Sequence, residues 1–277
     1  MPPITPIDHS VTRYDLKHAY WLARAAELAY SDADAARDET AAWGFDRFRH
    51  FVSPHALPFP LEDTQAYVAG SDRMVVVAFR GTEPTQIKDW LSDTTTPPVP
   101  GPGGKGFVHF GFHQALASVY PEVRDTVTEF GADGQSVWFT GHSLGGALAM
   151  LAGTRLCLDR PRVVPHGIYT YGQPRTCDRL LAAAHNTALK NRTYRFVNNN
   201  DIVPQVPPEP VFTHVDAIRY FDANGELHDG MPLLTGLRDR AKGLTADLLA
   251  PTSDGIRDHF MGAYLKNLEK NLAKAPA

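Results

Sequence analysis

A serine with a glycine two residues to either side, in Gly141-His142-Ser143-Leu144-Gly145-Gly146, follows the apolar run Ser136 to Thr140 and precedes a helical pattern that reaches about Leu158. Between a strand and a helix, such glycines let the backbone turn sharply and let the two elements approach, which lifts the serine hydroxyl above a sheet. The backbone N–H of Leu144, at the helix N-terminus, then faces the oxyanion that forms when the hydroxyl attacks a carbonyl. The plainer alternative is a Gly-rich turn whose serine only caps the helix. A serine hydroxyl is a poor nucleophile until a base takes its proton, so a carboxylate and a histidine must follow, and this kind of turn orders them Ser, acid, His.

Asp201 is the preferred acid. It lies just past a predicted strand, in Asn198-Asn199-Asn200-Asp201-Ile202-Val203-Pro204, a position at a strand's C-terminal end where α/β folds carry functional groups. Asp216, Asp222 and Asp229, on or near an apparent hairpin, are its rivals, and an Asx-type turn is the plainer role for Asp201 itself. For the base, His214, His228 and His259 all follow Asp201. His259, near the start of the last predicted helix, fits the required order best, although position alone leaves the others open. His109, His113 and His142 read as structural histidines. The i, i+4 pair His109 and His113 lacks a third ligand or a glutamate, so no metal is expected, and a serine nucleophile with a histidine base needs no organic cofactor.

The elements that must position these groups follow from periodicity. Leu16, Ala19, Tyr20, Ala23, Ala26 and Tyr30 fall at helical spacing between Asp15 and Tyr30. After an irregular Pro-rich stretch at 53–60, the runs Thr64 to Ala69 and Met74 to Phe79 predict strands paired across the turn at 70–73. Four prolines and four glycines in Thr94 to Gly106 argue against regular structure there and predict a long, mobile loop. A helix over 112–130 leads to the strand at 136–140. Further strands at 163–171 and 193–197 alternate with a helix at 178–189, a pattern that means parallel βαβ units. A strand and hairpin turn at 214–225 and a closing helix at 256–272 complete a single α/β domain over 1–277, a mostly parallel central sheet flanked by helices.

Composition narrows the function classes. With 43% hydrophobic and 21% charged residues the chain can build a large core. A net charge of −4 without a recurring Lys/Arg cluster argues against nucleic acid as a partner. No apolar run is long enough to span a bilayer. The start, MPPITPIDHS, has neither a basic nor an apolar signal region, so the expectation is a protein that stays inside the cell or a chain already trimmed of its leader. Two cysteines, Cys157 and Cys177, read as separate thiols.

Taken in order, six motifs resemble those of the class 3 (fungal-type) lipase family, which has an α/β-hydrolase fold: Val77-Ala78-Phe79-Arg80-Gly81-Thr82, Val108-His109-Phe110-Gly111-Phe112, the segment around Ser143, Tyr171-Gly172-Gln173-Pro174-Arg175, Val197 to Pro204, and Asp258-His259 with Tyr264. The resemblance implies that Asp201 and His259 complete a triad with Ser143, and that Thr82 joins Leu144 in the oxyanion hole. It also implies a short helical lid at Pro84 to Asp93, where Ile87, Trp90 and Leu91 fall at helical spacing; these three, with His142, make up the expected lid and substrate-binding set. An amphipathic lid would shield an acyl groove in water and turn its apolar side to a lipid surface, giving peripheral contact with lipid. A surface helix that packs Trp90 inward is the alternative. The activity implied is hydrolysis of a carboxylic ester or lipid, foremost of acylglycerols. Feruloyl esterase, phospholipase A1 and, more remotely, a non-catalytic binding protein on the same fold remain open.

Overall fold

The computed structural model describes residues 4–54, 63–81, 97–159, 163–231 and 253–274. Its strands are β1 (Arg47–Pro54), β2 (Asp63–Gly70), β3 (Met74–Phe79), β4 (Pro98–Pro100), β5 (Phe107–His109), β6 (Ser136–His142), β7 (Gly167–Tyr171), β8 (Thr193–Asn198), β9 (Ile218–Phe221) and β10 (Leu227–His228). Eight of them form one sheet in the order β1-β2-β3-β6-β7-β8-β9-β10. The β1-β2 and β2-β3 pairs are antiparallel, β3 through β9 run parallel, and β10 returns as an antiparallel edge. Every residue of β3, β6, β7 and β8 is buried, as strands covered on both faces must be.

Alternation along β3 separates two cores. Val75, Val77 and Phe79 point to one side, where α3 (Phe110–Phe130) and α4 (Leu144–Leu158) supply Phe112, Leu116 and Leu148. Met74, Val76 and Ala78 point to the other, where α1 (Leu16–Leu28) and the C-terminal α7 (Met261–Leu272) pack Leu22, Ala26, Tyr264 and Leu268 against Tyr67, Trp138 and Tyr169. Between these helices in sequence lie α2 (Ala33–Ala42), α5 (Arg179–Ala188) and α6 (Ser253–His259). Carboxylates start three helices as N-caps: Asp15, Asp32 and Asp178 accept from His18, Ala35 and Leu181 N–H groups at 2.9 Å each.

The α/β architecture with a mostly parallel sheet agrees with the sequence expectation, and the two thiols are separate and buried. Two local expectations are corrected. The Pro/Gly-rich stretch expected to be an irregular loop carries, in its described part, β4 and a 3-10 turn at Pro102–Gly104; β4 pairs with β5, with Pro98 opposite His109 and Pro100 opposite Phe107. Proline is tolerated there because β4 has a partner on one side only. The closing helix is broken in two at Phe260, whose extended backbone (φ −60°, ψ 140°) leaves His259 as the last residue of α6. The sequence reading also passed over α2 and β1.

Candidate active site

Ser143 sits on the turn between β6 and α4 with φ 57° and ψ −128°, backbone angles that a residue with a side chain adopts only when its surroundings enforce them. The flanking glycines are part of that enforcement. A Cβ on Gly141 would run into the Gly145 carbonyl, and one on Gly145 into the carbonyl of Phe79 at the end of β3. The Ser143 N–H donates to the Tyr171 carbonyl at 2.9 Å, tying the turn to the end of β7. Ser143 is therefore held at the C-terminal edge of the parallel strands, with Leu144 as the first residue of α4. Gly81, the last described residue of its segment, passes over this turn: a Cβ there would stand 3.2 Å from the Ser143 Cβ.

Asp201 and His259 come together at the same edge. His259 Nδ1–H lies 2.9 Å from each Asp201 carboxylate oxygen, and both side chains are almost wholly buried. This contact fixes the proton on Nδ1 and leaves Nε2, buried and without a hydrogen-bond partner among the described residues, as the basic nitrogen. The carboxylate is oriented in turn by the Val203 N–H on Oδ1 at 2.9 Å and by the Tyr264 hydroxyl on Oδ2 at 2.5 Å. Tyr264 also accepts the Asn198 N–H at 3.1 Å. Burial, and then the Asp201 charge, push its phenol well above the ordinary tyrosine range, so it remains a donor. Asp258 ties the acid loop to α6: its carboxylate accepts from the Asn199 side-chain amide at 3.1 Å and the Asn200 N–H at 3.3 Å, and its carbonyl accepts from the Asn198 amide at 2.9 Å.

The residue that makes room for this pair is Gly172, one step beyond the Tyr171 carbonyl that holds Ser143. It adopts φ 61°, and a Cβ there would lie 2.8 Å from Asp201 Oδ2 and from His259 Nδ1 and Cε1. Gly172 thus places the Asp201–His259 pair directly over the β7 end to which Ser143 is bonded.

Other expected candidates are engaged elsewhere. The His214 Nε2–H is given to the Pro204 carbonyl at 2.7 Å; His228 pairs with Asp222 at 3.0 Å on the exposed hairpin; Asp229 reaches Arg219 at 3.4 Å; Asp216 is exposed. His142 is expected both as a structural histidine and, from the resemblance, in the substrate-binding set. It is buried, its Nδ1 lies 2.9 Å from the Tyr30 hydroxyl and its Nε2 lies 2.7 Å from the His259 carbonyl, so both ring nitrogens are taken up inside the protein. Thr82 and the lid segment Pro84 to Asp93, with Ile87, Trp90 and Leu91, lie outside the described residues. Among the described residues no cluster of His, Cys, Asp and Glu is arranged to hold a metal ion. The supports that sequence reasoning missed are Tyr30, which registers only as one more apolar position on a helix, and the spatial role of Gly172, which lies inside a motif but has no chemistry of its own.

A strained serine on a strand-to-helix turn, with a carboxylate-held histidine at the C-terminal edge of a mostly parallel sheet, defines a serine hydrolase-type site on an α/β-hydrolase fold. Residues 76–211 match the family model for lipase (class 3). Two curated relatives illustrate the kinship. The chain is 37% identical over 154 residues to a lipase of Rhizomucor miehei, covering 53% of this chain and 41% of that protein. It is 32% identical over 152 residues to secreted mono- and diacylglycerol lipase 1 of Fusarium solani, covering 52% of this chain and 43% of that protein. This chain therefore spans well under two thirds of the length of either. A solved structure of a triacylglycerol lipase, described as having a serine protease triad at its catalytic centre, superposes with a TM-score of 0.60 at 27% identity, covering 75% of this chain and 80% of that one.

Proposed function

We propose that the chain hydrolyses carboxylic esters, acylglycerols foremost, through an acyl-enzyme on Ser143. The observation that carries the reading is the His259 imidazole: Nδ1–H is held by both oxygens of buried Asp201, and Nε2, beside the strained Ser143 turn, has no partner among the described residues. Ser143 Oγ attacks the ester carbonyl as its proton passes to His259 Nε2, and the carbonyl becomes a tetrahedral oxyanion. That proton then goes to the departing alcohol oxygen as the C–O bond breaks. Water, deprotonated by the same nitrogen, attacks the acyl-enzyme, and as the acyl–Oγ bond breaks the proton returns from His259 to Ser143 Oγ and the acid is released. Asp201 keeps the imidazole in the useful tautomer and stabilises its cation. The N–H groups of Leu144 and Thr82 are assigned to the oxyanion, each such donor being worth roughly 10²- to 10³-fold in turnover.

The choice of acylglycerols rests on the relatives, and contact with a lipid surface rests on the amphipathic spacing of Ile87, Trp90 and Leu91. Initial rates on mono-, di- and triglycerides, a phospholipid and methyl ferulate, below and above their solubility, test the assignment. Glyceride hydrolysis that jumps when an insoluble phase appears is the expected result, and simple saturation on the phospholipid or the aromatic ester would reassign the substrate. Ser143→Ala lowers turnover by about 10⁶-fold; unchanged hydrolysis in that variant overturns the mechanism.

A further inference from the structure

His259 must aim Nε2 with sub-ångström accuracy, and one anchor is not enough to do so. The bond from Nδ1 to Asp201 fixes one side of the ring but leaves the backbone pivot to be held by something else. That pivot is vulnerable, because His259 ends α6 and its carbonyl, at a helix C-terminus, has no partner one turn further on. The partner comes from β6. His142 Nε2 lies 2.7 Å from that carbonyl, and since a carbonyl can only accept, Nε2 carries the proton. Nδ1 is then a lone pair, and the Tyr30 hydroxyl, 2.9 Å away, donates to it. The two imidazoles also lie against each other, with ring centroids 4.5 Å apart and planes 31° from parallel. Burial and the neighbouring His259 hold the His142 pKa well below the ordinary histidine range, so the ring stays neutral and keeps this pattern of one donor and one acceptor.

We propose, on the reading of the site given above, that His142 is a positioning residue for the general base, carrying a hydrogen-bonded relay from Tyr30 to the main chain of His259 so that the base is held at both its ring and its pivot. Its location suits it to the task, since it is the residue before Ser143: one backbone step separates the group that fixes the nucleophile's turn from the group that fixes the base. Tyr30 completes a buttress at the same point. A Cβ on Gly81 would meet the Tyr30 hydroxyl and the His142 carbonyl, so the end of β3, the nucleophile turn and the chain just after α1 all converge on this hydroxyl. Tyr30 lies outside the 76–211 segment that matches the family model. The relay therefore draws the N-terminal part of the chain into the alignment of the site.

The test uses a water-soluble short-chain ester, so that lipid binding does not enter, and compares His142→Leu, His142→Gln and Tyr30→Phe with the parent and with Ser143→Ala. Glutamine can present an N–H where His142 Nε2–H stands, and leucine cannot. The expected result is a kcat about 10- to 100-fold lower in His142→Leu with KM within about twofold, recovery of most of that loss in His142→Gln, and a severalfold fall in kcat for Tyr30→Phe. Full kcat in His142→Leu, or equal losses in the leucine and glutamine variants at unchanged melting temperature, overturns the relay. Should His142→Leu fail to fold, Tyr30→Phe and His142→Gln decide, and parental kcat in Tyr30→Phe then overturns it. A Ser143→Ala variant that keeps hydrolysing the ester would instead remove the reading on which the relay rests.

Discussion

Replacing Gly172 by alanine adds one methyl group at the point where the three proposed catalytic residues converge. The new Cβ would lie 2.8 Å from Asp201 Oδ2, His259 Nδ1 and His259 Cε1, against an ordinary contact distance of about 3.5 Å, so the pair must retreat by more than half an ångström. Misplacement on that scale costs roughly 10²-fold in turnover. Stability falls as well: holding an alanine at φ 61° costs about 1–2 kcal/mol, and overpacking a filled site about 1–3 kcal/mol more. Together that is a drop of roughly 4–20 °C in melting temperature at about 2–4 °C per kcal/mol. Gly134 provides the control, because it has φ 87° and nothing within 4 Å of its would-be Cβ. Gly134→Ala therefore meets the backbone cost without the collision, and its kcat stays at the parental value. The assay pairs kcat on a soluble ester with a thermal melt for both variants. A Gly172→Ala enzyme within twofold of parental kcat, or a Gly134→Ala enzyme equally impaired, would refute the claim that this glycine is required by the Asp201–His259 pair.

Tyr264→Phe removes a charge-assisted hydrogen bond to Asp201 and leaves the Asn198 N–H without its acceptor. It lowers stability by about 2–4 kcal/mol and kcat about tenfold, and an unshifted calorimetric melt would show that the hydroxyl carries no load. Acid destabilisation comes from buried neutral histidines. His18, with neither ring nitrogen bonded among the described residues, has its pKa lowered to about 4 by burial, and His185, between Thr154 and Thr193, to about 3. The unfolded chain binds these protons at about pH 6.5, so the pair imposes no penalty above that pH, and stability falls as the pH drops from 6.5 towards 4 and 3. In a melting series from pH 7 to pH 4, His18→Leu shows a shallower decline than the parent, and identical slopes would exclude His18 as a source.

What the sequence disclosed and what it withheld follow from how local each feature is. The Ser143 turn is written in five consecutive residues because its glycines are needed for a strand and a helix that adjoin in the chain. Asp201 could be picked out because it lies just past a strand, whereas residue pattern only leaned towards His259: His214 and His228 satisfied the same order, and the resemblance was needed to separate them. The break at Phe260 was invisible because apolar spacing continues across it, and β4 was missed because prolines that argue against a central strand are acceptable in an edge one. The supports of the base were the least legible part. Tyr30 acts through a hydroxyl that meets a ring 112 residues later, and the Asp201 and His259 atoms that require a glycine at 172 follow it in sequence. Helical spacing records that Tyr30 faces inward and a motif records that a glycine follows Tyr171, but neither pattern contains the partner. The proposed catalytic groups each sit in a short motif, in the chain order Ser143, Asp201, His259, whereas the groups that hold them to sub-ångström tolerance are defined only by contacts made on folding. A substitution at Tyr30 or Gly172 is therefore expected to impair the site while every residue of the proposed triad is unchanged.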